Sequence, residues 1–384
     1  MNASDFSHSS PGHLAKTVEG VLAFVPGPLP PQLDFNLETL ASLSEADQFL
    51  GQLAGVGHTL PNPHLLIGPF LRREAVLSSR IEGTEATAEE LLLFEIAPDE
   101  TPAKPDVREV SNYVQALNHG LARLKELPVS LRLLREVHSV LMKGVRREEK
   151  KPGEFRTRQN YIARAGHPLA EARFVPPPVA EMNQAMNDLE KYLHRRELPT
   201  LIDLALIHYQ FEAIHPFMDG NGRVGRLLIS LLLCERAQMT QPLLYLSAFF
   251  ERHRGTYYDL LLNVSQKGAW MDWILFFLHG IAEQSRDAIQ RARKLVELRE
   301  RYRGWMQEPG IPAPILLLVD ALFENPAITI PRARALLDVK TFHTARSYVE
   351  KLCEAGILKE HTGRKRNRIY VAREIVNIIE SDKP

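Results

Sequence analysis

The chain has 384 residues, room for two or three domains, and its 47 Lys plus Arg balance 47 Asp plus Glu. That balance excludes a global field drawing it to nucleic acid or a membrane. No apolar stretch reaches membrane-spanning length, and the start Met1-Asn2-Ala3-Ser4-Asp5 lacks a secretory pattern, so a cytoplasmic location without a membrane partner is expected.

Residues 1–35, polar and then Pro-rich up to Pro26-Gly27-Pro28-Leu29-Pro30-Pro31, read as a disordered start and an extended arm. Residues 36–60 predict a helix with Leu37, Leu40, Leu43 and Leu50 as its apolar positions. A second helix is predicted from Asn62 to Glu82, stopped by Gly83, and a third over 84–97, followed by a polar linker from Pro98 to Pro105. Helical periodicity returns over 108–145 and 179–195. Between these, Glu154 to Pro178 carries two short apolar runs around Gly166-His167-Pro168, a β-hairpin or flap. Helices follow over 201–213 and 223–237, and two or three more over 256–303. Beyond Pro309-Gly310-Ile311-Pro312, short helices and a basic turn between two short strands make a winged-helix pattern over 310–384. The two cysteines, Cys234 and Cys353, lie in apolar helical contexts and read as buried, reduced thiols.

The segment from Ala213 to Arg226 concentrates the chemistry. Gly220 to Gly225 matches G-x-G-x-x-G, but no strand precedes it and the lysine of a phosphate-binding Walker loop is missing. What remains is helix, turn, helix, with Gly220-Asn221-Gly222 as the turn. Glycines let a ligand approach the backbone, and the free N–H groups of the next helix make an anion site. Arg223 and Arg226 share a helix face, and guanidinium forks suit phosphate oxygens. Asp219 beside such an anion calls for Mg²⁺, and His215 is the nearby group able to accept a proton near neutral pH. His208 lies seven residues before His215, but without a third ligand no zinc site is assigned.

His215-Pro216-Phe217-Met218-Asp219-Gly220-Asn221-Gly222-Arg223-Val224-Gly225-Arg226 resembles the signature of Fic-domain proteins, with no departure at a defining position. The similarity runs from Leu37 to Arg303. It implies a mainly α Fic-type helical bundle with a small β-hairpin flap, here with a C-terminal winged helix-turn-helix domain. The divisions are then an arm over 1–35, a helical region with an inhibitory helix over 36–105, a catalytic core over 106–303 and the winged helix over 310–384. The resemblance implies transfer of AMP from ATP to a Ser, Thr or Tyr hydroxyl of a target protein. His215 would be the base and Asp219 the Mg²⁺ ligand, with Gly220, Asn221, Gly222, Arg223, Gly225 and Arg226 around the phosphates.

Ser78-x-x-x-Glu82-Gly83 is similar to the family's inhibitory motif, in which the Glu pairs with the second motif arginine, here Arg226, and Ser78 fastens the helix. On its own, a carboxylate at the negative end of a helix dipole costs roughly 0.3–1 kcal/mol and reads as a solvated residue beside Arg80. Arg156 to Ile162 and Phe174 to Pro178 resemble the Fic flap, with Asn160, Tyr161 and Ile162 docking the target by main-chain pairing. Tyr257, Tyr258 and Asn263 lie where similar proteins build the base pocket. The resemblance leaves a homodimer open, and in some members the same Glu supports removal of AMP. A rival of another class is a DNA-binding regulator whose winged helix carries the function, through Arg364, Lys365, Arg366 and Arg368.

Overall fold

The computed structural model describes all residues except 60–63, 97–103, 146–150, 164–171, 237–238, 240–241, 365 and 382–384. The chain opens with a 3₁₀ turn, Ala3–Asp5, and an antiparallel hairpin of β1 (Gly12–Lys16) and β2 (Leu22–Pro26). This corrects the expected disorder of the arm. Phe24 is fully buried between Phe6 and Phe174, its N–H donates to the Val175 carbonyl, and Ser7 N–H reaches Gln266. Burial of one aromatic and pairing of the backbone outweigh a polar, Pro-rich composition.

Helix α1 (Leu37–Thr59) is capped by Asn36, whose side chain accepts from Thr39 N–H at 2.9 Å. Its buried stripe is Thr39, Ser42, Ala46, Leu50 and Leu53, laid along a later, long helix, whereas Leu37 and Leu40 are 85% and 50% exposed. Of the expected apolar positions Leu43 and Leu50 pack inward and Leu37 and Leu40 do not; in the first turn, capped by Asn36, Thr39 is the buried residue. Helices α2 (His64–Ile81) and α3 (Ala88–Ile96) follow, then α4 (Pro105–Arg123), α5 (Leu131–Leu141) and α6 (Val179–Leu193).

Helices α7 (Thr200–Ile214) and α8 (Asn221–Glu235) form the centre. Helix α7 is buried on every side from Leu201 to Phe211, the mark of a helix with no solvent face. Three of its buried polar residues are satisfied. Asp203 accepts from Tyr192 hydroxyl at 2.6 Å and from Arg236 at 2.8 Å, Gln210 donates to the Gly27 carbonyl, and His208 bridges the Gly225 carbonyl and Tyr257 hydroxyl. Helices α9 (Ser247–Arg252), α10 (Arg254–Lys267) and α11 (Trp270–Met306) close the bundle. In the expected flap, Ile162 and Phe174 form one antiparallel bridge; the Gly166-His167-Pro168 tip lies outside the described residues.

The C-terminal unit comprises α12 (Ile315–Glu324), β3 (Ala327–Thr329), α13 (Ile330–Leu337), α14 (Phe342–Glu354), β4 (Lys359–Glu360), β5 (Ile369–Val371) and α15 (Arg373–Glu380). Its antiparallel sheet has the order β3-β5-β4. Arg291 of α11 donates to the carbonyls of Ile378 and Ser381, and Arg299 pairs with Asp320, so the unit is fastened to the bundle. Cys234 and Cys353 are unpaired and half-buried. Among the described residues no helix is long and apolar enough to cross a membrane.

Asp203 and Arg236 are each 2% exposed, so removing one leaves the other charge buried. Asp203→Ala should lower unfolding stability by about 3 kcal/mol in urea denaturation, and a loss below about 1 kcal/mol would contradict this account.

Candidate active site

Helix α7 ends on His215, a non-glycine residue at φ 50° in the left-handed region. Such a conformation costs of order 1–3 kcal/mol and persists only where neighbours impose it. Here they do. The His215 N–H donates to Phe211, and its carbonyl accepts from Arg156 Nε at 3.1 Å and Asn160 Nδ2 at 3.2 Å. Its ring Nδ1–H donates to the Glu212 carbonyl at 3.3 Å, which leaves the Nε2 lone pair as the acceptor. Burial, with the nearby Arg156 charge, lowers the imidazole pKa to about 4, against the opposing pull of Glu82 and Asp219. The ring is therefore neutral at physiological pH and able to take a proton.

The turn after His215 is fixed from within. Phe217 is fully buried and stacks on His138 with centroids 3.8 Å apart and planes 7° off parallel. The Asn221 side chain accepts from Phe217 N–H and donates to its carbonyl, both at 2.8 Å. The Asn221 side chain is thus spent on the turn, which leaves its main-chain N–H as the group it could offer an anion. Gly220, at φ 73°, starts α8. The first helical bond is Val224 N–H to the Gly220 carbonyl, so Asn221, Gly222 and Arg223 N–H groups have no helix-internal acceptor. Asp219 accepts from Gly220 N–H, and its own carbonyl accepts from His138 Nε2 at 3.1 Å. Gly153 N–H donates to His138 Nδ1, tying the root of the flap to the turn. Among the described residues no three or more His, Cys, Asp or Glu side chains group to hold a metal.

Both arginines of α8 are buried and engaged. Arg223 pairs with Glu109 of α4 at 3.0 Å, and its Nε is buried without an acceptor. Arg226, 2% exposed, donates from Nε to the Ser78 hydroxyl at 2.8 Å, and from Nη2 to the Ser78 carbonyl at 3.0 Å and to Glu82 at 2.6 Å. Ser78 thus grips the arginine itself rather than only fastening its own helix. Burial works against Glu82 ionisation, but Arg226 outweighs it, and the carboxyl is held below its usual range. Gly83, at φ 94°, turns the chain just after Glu82. A Cβ on Gly222 would overlap the Glu82 carboxylate, so the pair requires a glycine there.

The adenine side differs from expectation. Tyr257 is 1% exposed, stacked on Phe250 at 4.5 Å, with its hydroxyl bonded to His208. Its ring belongs to the core and offers no face to a base. Tyr258 and Asn263 are half-buried on α10. In the flap, Asn160 is a clamp rather than a docking residue, since its Nδ2 donates to the carbonyls of His215 and Phe217. Tyr161 is 43% exposed, and Ile162 carries the bridge to Phe174. Glu109, His138, Arg156 and Glu212 were not singled out as site residues from sequence. Arg156 lies inside the flap segment and Glu212 one residue before the Ala213–Arg226 segment, whereas Glu109 and His138 sit on ordinary helical faces with no distinguishing spacing.

Comparison with known proteins matches residues 40–122 to the family described as Fic/DOC family N-terminal and residues 128–233 to the Fic/DOC family. Similar curated proteins are "Protein adenylyltransferase Fic" of Drosophila erecta, 30% identical over 144 residues, and that of Aedes aegypti, 31% identical over 151 residues. The alignments cover 35% and 38% of this chain and 27% of each relative, so the chain spans about a quarter of their length. In fold it is similar to a Fic family protein from Desulfovibrio desulfuricans G20, with a TM-score of 0.57 and 18% identity over 89% of this chain and 98% of that one. The two matched regions follow one another along the chain and hold Ser78, Glu82 and the whole His215–Arg226 turn, and the chain carries a Fic/DOC N-terminal region followed by a Fic domain.

Proposed function

We propose that this chain is a protein adenylyltransferase that moves AMP from ATP to a target-protein hydroxyl, and that Glu82 holds it at rest. The observation that carries the reading is the α8 corner. Three main-chain N–H groups without a helix-internal acceptor, an Arg223 Nε without a partner and a buried Arg226 follow a neutral His215 on the turn and first turns of α8. Such a set suits a polyphosphate and little else. The names of the curated relatives agree with this chemistry.

In the proposed reaction the hydroxyl oxygen attacks the α-phosphorus while His215 Nε2 takes its proton. The bond to the bridging oxygen breaks and pyrophosphate leaves. Arg223 and the α8 N–H groups hold the phosphates in line, and Arg226 receives the terminal one. Asp219 would hold Mg²⁺, which needs few protein carboxylates when phosphates complete its shell and would neutralise phosphate charge. The target would lie along the flap edge near Tyr161 and Ile162. Glu82 occupies the guanidinium that the terminal phosphate needs, so ATP would bind without its productive pose.

Glu82→Gly should raise the rate of AMP transfer, including self-modification, by about tenfold or more, since loss of a competing pair worth about 1.4 kcal/mol is a factor of ten. Intact-mass spectrometry after incubation with ATP and Mg²⁺ reads it, and equal or lower modification would remove the brake from the account. Adding His215→Ala should cut transfer by about 100-fold or more; retained transfer would mean that another group takes the proton.

For the C-terminal unit we infer a winged helix that contacts duplex DNA. The supporting observation is that Arg364, Arg366 and Arg368 are exposed on the turn between β4 and β5, and that His343 and Arg346 are exposed on α14. Arg366→Ala with Arg368→Ala should weaken DNA binding and lower its salt slope by about 2. A gel shift unchanged by both substitutions would favour a protein-docking role instead.

A further inference from the structure

Arg226 is flanked on α8 by two glycines, Gly222 one turn earlier and Gly225 beside it. Each clears space for a carboxyl group. A Cβ on Gly222 would overlap Glu82 Oε1, and a Cβ on Gly225 would overlap Glu212 Oε1. The first carboxylate is spent on Arg226. The second is not: Glu212 Oε1 is buried with no hydrogen-bond partner. A buried oxygen without a donor is costly, and a fold that only needed packing would fill this notch with an apolar side chain. The charged and titratable groups that face Glu212 are Arg226 from α8, Glu82 from the end of α2, and Tyr257 and Tyr258 from α10, with His215 on its own helix.

We propose that Glu212 is a second, proton-controlled counter-ion for Arg226, neutral while Glu82 is in place and ionised when Glu82 is withdrawn, until the terminal phosphate of ATP takes the guanidinium. This rests on the reading of the corner as a triphosphate site. Burial pushes the Glu212 carboxyl up to about 8; Arg226 pulls it down and Glu82 adds to the rise. Withdrawing Glu82 removes an upward push and leaves the Arg226 charge unspent, so the carboxyl loses its proton more readily. An arriving phosphate restores the negative charge and reverses the shift. One proton then passes from solvent to the Glu212 carboxylate as ATP binds, with no other bond made or broken. Glu212 is a positioning residue here, since it acts through Arg226 and does not meet the reacting atoms.

Calorimetry of MgATP binding to the Glu82→Gly protein at about pH 8, in two buffers of different ionisation enthalpy, counts the protons taken up. His215 contributes equally to Glu82→Gly and to Glu82→Gly with Glu212→Gln, so the difference belongs to Glu212. Expected is uptake in the single variant and loss of that part in the double variant. The single variant should also show a KM for ATP that rises more steeply with pH, because the ionised carboxyl competes with the phosphate. Equal proton counts overturn the proposal. Absence of any ATP binding by Glu82→Gly overturns the triphosphate reading itself, a separate result. Should the Gln variant not fold, carboxyl ¹³C NMR of the wild type and Glu82→Gly reads the same group untouched. Its titration should move down in the variant, and an unmoved one rejects the proposal.

Discussion

A guanidinium that is 2% exposed at the centre of a helical bundle must have an anion, because an unpaired buried charge costs several kcal/mol. Much of the site follows from how Arg226 meets that demand. Glu82 reaches it only because Gly222 has no side chain, and Ser78 on the preceding turn of α2 supplies two more acceptors. The result is a socket already filled from within. A ligand that binds there has to bring its own negative charge and to displace a carboxylate held below its usual range. The same bundle holds a second buried pair, Asp203 with Arg236, closed on all sides with each partner 2% exposed. The contrast is informative: Glu82 is 35% exposed, so its pair opens toward solvent where the other does not.

The remaining parts of the corner are rigid. His138 links the flap root to the Asp219 carbonyl, Asn221 ties Phe217 to the start of α8, and Asn160 ties the flap to His215. The ring nitrogens of His138, the Asn221 amide and the Asn160 Nδ2 are all spent on these ties. They hold the backbone of the corner in place.

The helical class and the dense chemical segment were legible in the sequence because both rest on local pattern: helical spacing in α2, α4 and α8, and an unbroken motif from His215 to Arg226. What escaped was set by distant partners. The N-terminal hairpin exists because Phe24 finds Phe6 and Phe174. In the first turns of α1 the buried positions are Thr39 and Ser42 rather than Leu37 and Leu40, beside a cap and α11. Tyr257 looks like a base-stacking ring until Phe250 and His208 are seen to occupy it. Glu109 and Glu212 are ordinary helical glutamates in sequence, and only the fold reveals which cation each one faces.

Arg156 reaches outward from the flap with every described hydrogen bond ending on a peptide carbonyl: those of His215, Arg158 and Pro177. Its own N–H reaches a fourth, that of Pro216. Burial alone moves its pKa, down to about 10. A planar fork with donors in several directions makes this spoke stiff, and lysine would lack the reach to all of them. The imidazole and the peptide edge beside it are therefore hung from one hub. In the proposed reaction a chain laid on that edge would be held at a set height above the imidazole, and tolerance for different side chains there need not loosen the alignment of its hydroxyl oxygen.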